Sequence, residues 1–250
     1  MSIHYQLNSK FNAGKRPCPP DSLRVRKCNM VVNEASEDLL TSDVFGLLKY
    51  LDPLIWLMPL LKCAFKGRDF SDIEGMDAKI DFWRKFRAPP GTSRRESTSE
   101  IDIVIEIGSF LILIECKYLS HLQPEGARGK GRDQIIRYLD VAAFNCVKDT
   151  DEMPEIYLIL LTDTKTEPPT LIRYRNHDQL AAGLTRKRPF FDYEKISRML
   201  ARNIGWVTWA DLLNILKHRQ SDLGQIEDKI VEDLIQYLTH KLSKVKGQYE

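Results

Sequence analysis

Two isoleucine-rich runs separated by two residues constrain the fold of this chain more than any other feature. Residues 101–107 alternate strictly, with isoleucine at every odd position, and residues 110–117 follow after only Gly108 and Ser109. β-Branched runs joined by a Gly-Ser link predict a tight antiparallel hairpin. A two-residue turn sets Ile107 against Phe110. Counting back, Asp102 then lies opposite Glu115, and Glu100 opposite Lys117. Directly opposed Cβ atoms stand about 4.5–5.5 Å apart.

Two carboxylates at that separation repel. Solvent exposure, a shared proton or a bound cation would each relieve them. A solvated face would be polar along its length, yet Val104, Leu111 and Leu113 share it with Asp102, Glu106, Glu115 and Lys117. Acids and one lysine gathered toward one end of an apolar face favour a site. Hard oxygen donors without a His or Cys pattern suit Mg²⁺ better than Zn²⁺. An ammonium beside such a metal can orient water and stabilise negative charge, as phosphodiester hydrolysis requires. The plainer alternative for Lys117 is a surface lysine paired with Glu100.

The remaining pattern is α/β with a mixed sheet. A helix is predicted over 33–51 with Ser36 as N-cap, from Leu40, Val44, Leu47, Leu48 and Leu51. A short helix is predicted over 77–87, followed by loop from Pro89 onward. A glycine-rich basic loop over 124–131 precedes a helix over 132–146. Residues 155–162 are apolar throughout and predict a central strand. Residues 163–190 read as loop. A helix over 193–202, a strand over 205–208 and helices over 209–217 and 222–244 complete the order. Residues 1–32 read as a basic, mostly irregular arm, and 33–250 as one domain.

Asp102 followed by Glu115-Cys116-Lys117 at the end of an apolar strand resembles the PD-(D/E)xK nuclease superfamily, with its restriction-endonuclease-like fold. Gln134-Ile-Ile-Arg-Tyr138 resembles the QxxxY helix motif of its exonuclease-like branch, and Glu37-Asp-Leu-Leu-Thr41 the acidic first helix of that branch. The resemblance spans roughly 33–209 and implies an αβββαβ core with extra C-terminal helices, its first strand lying within 62–99. It further implies that Asp102 and Glu115 ligate a divalent metal, Mg²⁺ with Mn²⁺ as substitute, aided by the backbone carbonyl of Cys116. Lys117 would position the attacking water, Gln134 would project back to the site, and Tyr138 would touch DNA or support Gln134. Glu37 would complete the acids, with Asp38 and Asp43 as alternatives. Ile101 stands where the motif has proline, and Glu100 and Glu106 are additional acids nearby.

The chain has 250 residues, 37 Lys+Arg against 35 Asp+Glu, and a net charge of +2. Its composition excludes a disordered or fibrous protein. The net charge hides an uneven distribution. Residues 1–30 and 79–95 each hold six basic residues against one acid, 184–202 hold six against two, and 124–139 hold four against two. Arg128, Lys130 and Arg132 would approach phosphates. Five cysteines with no CxxC pair argue against disulfides or zinc. Some nucleases of the branch that the motifs resemble hold an iron–sulfur cluster with four cysteines, most of them downstream of the core; none follows Cys146 here, so no cluster is expected. The first ten residues lack the apolar core of a secretory signal. The expectation is a cytoplasmic Mg²⁺-dependent deoxyribonuclease serving restriction, repair or mobile-element defence. DNA is the expected partner, with RNA an alternative and no membrane. A homodimer, a partner ATPase or helicase, or a specificity protein would accompany it. The rival readings are a non-catalytic nucleic-acid-binding module and a regulatory scaffold.

Overall fold

The computed structural model describes residues 36–89, 98–122, 132–149, 154–186, 193–218 and 223–245. The expected N-terminal arm lies outside them. At the centre is a five-stranded sheet in the order β1-β2-β3-β4-β5, the same as chain order. The strands are β1 (Lys79–Phe86), β2 (Ser99–Ile107), β3 (Phe110–Cys116), β4 (Glu155–Thr162) and β5 (Ile204–Thr208). β1–β2 and β2–β3 pair antiparallel, β3–β4 and β4–β5 parallel. The class is therefore α/β with a mixed sheet.

The hairpin has the expected register. Ile107 pairs with Phe110 and Ile103 with Ile114. Gly108 takes a positive φ of 54° at the first turn position, where a side chain is disfavoured. A Cβ there would also meet Met76 Sδ at 2.7 Å.

Helices cover both faces. Against Ile103, Ile105, Ile112 and Ile114 pack α1 (Glu37–Leu48), α2 (Pro53–Ala64), α7 (Trp209–Lys217) and α8 (Gln225–Val245). Against Val104, Leu111 and Leu113 pack α3 (Gln134–Asp149), α4 (Pro169–Arg175), α5 (His177–Thr185) and α6 (Glu194–Arg202). β4 divides Tyr157, Ile159 and Leu161 from Ile156, Leu158 and Leu160 between the two layers, which accounts for its unbroken apolar run.

Two expectations are corrected, and one helix was not anticipated. The helix expected over 77–87 is strand β1. Its Ile80 and Phe82 lie opposite Ile105 and Ile103, and such cross-strand pairs outweigh the marginal stability of so short a helix. The apolar run near Leu54 is helix α2, started by the Asp52 carboxylate on Leu54 N–H at 2.8 Å with Pro53 in the tolerated first turn. Pro59 lies inside it and removes one backbone donor. The 163–190 stretch is helical in α4 and α5, which bury Leu171, Tyr174, Leu180 and Leu184. Ser36 caps α1 as expected, accepting Leu39 N–H at 3.3 Å. Among the described residues, no helix is long and apolar enough to cross a membrane.

Candidate metal centre

The site forms where β3 leaves the sheet. Lys117 N–H extends the parallel pairing to Leu161 O at 2.7 Å, and Trp209 Nε1 donates to Lys117 O at 3.1 Å. The chain then bends through Leu119 at φ 56°, where Leu119 N–H donates to Asp163 Oδ2 at 2.9 Å. The same bend brings Tyr118 N–H to Glu37 Oε2 at 3.1 Å, and the Ser120 hydroxyl donates to that oxygen too. Glu37, at the start of α1, is thereby fixed beside β3. As an anion at a helix N-terminus it is also favoured by the helix dipole.

Glu37, Asp102 and Glu115 converge, each offering a carboxylate oxygen within 4.8 Å of the other two. Glu115 is buried, and Glu37 and Asp102 are half-buried. Lys117 is 7% exposed. Its ammonium donates to Glu115 Oε1 at 2.5 Å, Glu37 Oε1 at 3.1 Å and Cys116 O at 2.9 Å. The carbonyl expected to ligate metal is therefore in contact with this ammonium. The surface pairing of Lys117 with Glu100 does not occur; Glu100 faces Lys85 at 3.5 Å. Glu106 pairs with Arg84 and Lys79 toward the other end of β2, which removes it from the cluster. Asp38 and Asp43 are not among the converging acids, and Asp43 accepts from the Tyr237 hydroxyl at 2.7 Å.

Gln134 opens α3 and donates to Glu115 Oε1 and, at 2.7 Å, to the Tyr138 hydroxyl. That hydroxyl donates onward to Glu100 O at 2.8 Å. Tyr138 is 3% exposed, and its hydroxyl links Gln134 to the Glu100 carbonyl. Arg132 is likewise buried, in an ion pair with Asp140 at 2.7 Å, where a guanidinium repays its desolvation through a paired carboxylate. Arg128 and Lys130 lie outside the described residues.

Burial pushes the Asp102 carboxyl well above its usual range, and the Glu115 charge adds to this against Lys117 and Cys116 N–H. Burial also raises Glu115, opposed by Lys117. Burial disfavours the Lys117 ammonium, but Glu115, Glu37 and Asp102 together outweigh it and hold Lys117 protonated above its usual range. The Cys116 thiol is pushed well up by burial and then by the Asp102 charge.

The residues fit a divalent cation. Three carboxylates and one ammonium leave a formal charge of −2, and Glu115 Oε2 is buried without a hydrogen-bond partner. A buried unpaired carboxylate oxygen is costly unless a cation or proton satisfies it. All donors are oxygens, the set preferred by Mg²⁺ or Mn²⁺. The sequence did not single out Ser120, Asp163 and Trp209. Their roles depend on the bend after β3, which carries no local pattern. No protein-family model, curated protein or solved structure matches this chain.

Proposed function

We propose that the protein is a divalent-metal-dependent nuclease of restriction-endonuclease-like fold that hydrolyses DNA phosphodiester bonds. The observation that carries the reading is the convergence of Glu37, Asp102 and Glu115 on Lys117, supported by Gln134, from four separate elements. The order α1, β1–β3, α3, β4 also follows the pattern of the superfamily that the motifs resemble.

Glu37, Asp102 and Glu115 would hold the cation, which when bound supplies charge neutralisation and a lowered pKa for water. Lys117 stays protonated and donates toward negative charge developing on the phosphate or toward the incoming water. Gln134 fixes Glu115 Oε1, leaving Oε2 for the cation, and Tyr138 holds Gln134 in turn. Cys116 N–H fixes one Asp102 oxygen at 2.9 Å. Glu115 lies on the buried side of the cluster, and Glu37, with 24% of its side chain exposed, lies toward its open side.

The test incubates purified protein with single-stranded, double-stranded and branched DNA and with RNA, in Mg²⁺, Mn²⁺ or EDTA, beside Glu115→Gln and Lys117→Ala. Cleavage by the wild type with metal, none in EDTA and none by either variant is expected. Binding without cleavage by the wild type sinks the proposal in favour of a binding module.

A further inference from the structure

On the same side of the sheet as α3, the helices α3, α4 and α5 enclose a cleft of about 160 Å³. Its lining includes Arg132, Asp133, Arg173, Tyr174, Gln179 and Arg186. Arg132 is held by the buried Asp140, so Arg173 and Arg186 are the guanidinium groups that the cleft presents, beside Asp133, whose Oδ2 lies 3.8 Å from Arg173; the wall is basic on balance, the reverse of the acidic cluster. Asp133 is turned to the protein, with Oδ1 accepting Ile136 N–H at 3.1 Å and Oδ2 accepting the Tyr174 hydroxyl. Arg173 stacks over the Tyr174 ring at 4.3 Å, and its side chain is 53% exposed. The back wall is tight, since a Cβ on Gly183 would stand 2.7 Å from Ile136 Cδ1. The volume falls below the roughly 300–1,000 Å³ of pockets that enclose drug-sized ligands, so the cleft suits one small anionic group. Guanidinium forks match the oxygens of a phosphate. Arg132 and Asp133 directly precede Gln134, which touches Glu115, so cleft and metal centre share one end of α3.

We propose that this cleft is a phosphate subsite, which takes a phosphate group of the bound nucleic-acid strand beyond the one at the acidic cluster. The source of the phosphate rests on the nuclease reading; the affinity for phosphate does not. The first measurement is thermal unfolding of the full chain in EDTA with increasing inorganic phosphate, against chloride at equal ionic strength. Arg173→Gln/Arg186→Gln is the variant, because both side chains are exposed, whereas loss of Arg132 would strand Asp140. A saturable rise in Tm in the wild type, several-fold weaker in the variant, is expected. No rise specific to phosphate, or an equal rise in both proteins, overturns the subsite.

The second measurement is binding in EDTA of oligonucleotides with a 5′-phosphate, a 3′-phosphate or neither. The variant is expected to bind about tenfold more weakly and to lower the slope of log affinity against log salt by about 0.7–0.9, one phosphate contact. A wild-type preference for a terminal phosphate that the variant loses assigns a strand end. Equal weakening on all three assigns an internal phosphate. An unchanged slope overturns the subsite. Phosphate-dependent stabilisation without metal-dependent cleavage supports the subsite and sinks the nuclease reading alone.

Discussion

Lys117 Nζ lies 3.1 Å from Glu37 Oε1, across 80 residues of chain, and the same ammonium contacts Glu115. A single cation inside the protein thus joins the first turn of α1 to the exit of β3. It offsets part of a repulsion that the hairpin register makes unavoidable.

Lys117→Ala removes that cation and leaves the carboxylates facing one another. Breaking a buried ion pair by deleting one partner costs roughly 3–5 kcal/mol, and relief by protonation lowers this figure. The expected outcome is a loss of about 2–4 kcal/mol in urea denaturation with EDTA, partly recovered with Mg²⁺. Cleavage should be abolished at every metal concentration.

Asp102→Asn should act in the opposite direction on stability. The amide oxygen still accepts Cys116 N–H, while the charge facing Glu115 is gone. The metal-free variant should gain on the order of 0.5–1 kcal/mol, seen as a higher urea midpoint in EDTA. It should also lose its stabilisation by Mg²⁺ and its cleavage, a trade-off expected of functional sites.

The pH dependence has a definite sign. Burial, with mutual repulsion, raises Asp102 and Glu115 in the folded protein, so the folded state binds more protons than the unfolded state above the ordinary carboxylate range. Metal-free stability should therefore fall as pH rises from about 4.5 through the raised folded values, and improve on mild acidification from neutrality. Glu106, lowered chiefly by its hydrogen bond from Arg84, has the opposite sign, and its contribution is lost as pH falls below about 4.5. Urea midpoints between pH 5 and 7.5 in EDTA should show the slope. Saturating Mg²⁺ should flatten it and, at 100 times its Kd, add about 2.7 kcal/mol. A flat profile in EDTA would mean that the carboxylates are not mutually desolvated.

Tyr138→Phe keeps the ring and removes only the hydroxyl between Gln134 and Glu100 O. A loss of about 1–1.5 kcal/mol is expected. Cleavage should fall by a moderate factor through kcat, with little change in DNA affinity, because Tyr138 acts through Gln134. A large affinity loss measured by anisotropy would place Tyr138 at the substrate instead.

Gly205→Ala tests the packing behind the site. A Cβ on β5 would meet Phe65 Cζ at 2.7 Å and Ala64 Cβ at 2.9 Å. Overpacking of this kind costs about 1–3 kcal/mol. Tm should drop while the metal response is retained.

The hairpin was legible because strict alternation and a two-residue turn leave one register, and the register alone put Asp102 and Glu115 on one face. β1 was not legible, since Lys79–Phe86 lacks clean alternation and Trp83 departs to φ 50°. α4 and α5 were hidden by their brevity and by Pro168 and Pro169, which read as loop until Leu171 and Leu180 are seen buried. At the site, Glu37 came from resemblance alone, because nothing local ties α1 to β3. Ser120 and Asp163 were out of reach, because the left-handed Leu119 that aligns them is imposed by tertiary contacts.

The anchor of Lys117 O on Trp209 Nε1 lies 92 residues downstream. During synthesis the acids and the lysine emerge long before the segments that hold them in place. On the nuclease reading, a nascent chain carries every reacting group yet remains chemically silent. On that reading, cleavage is expected only from chains in which β4, β5 and the start of α7 have been made and docked.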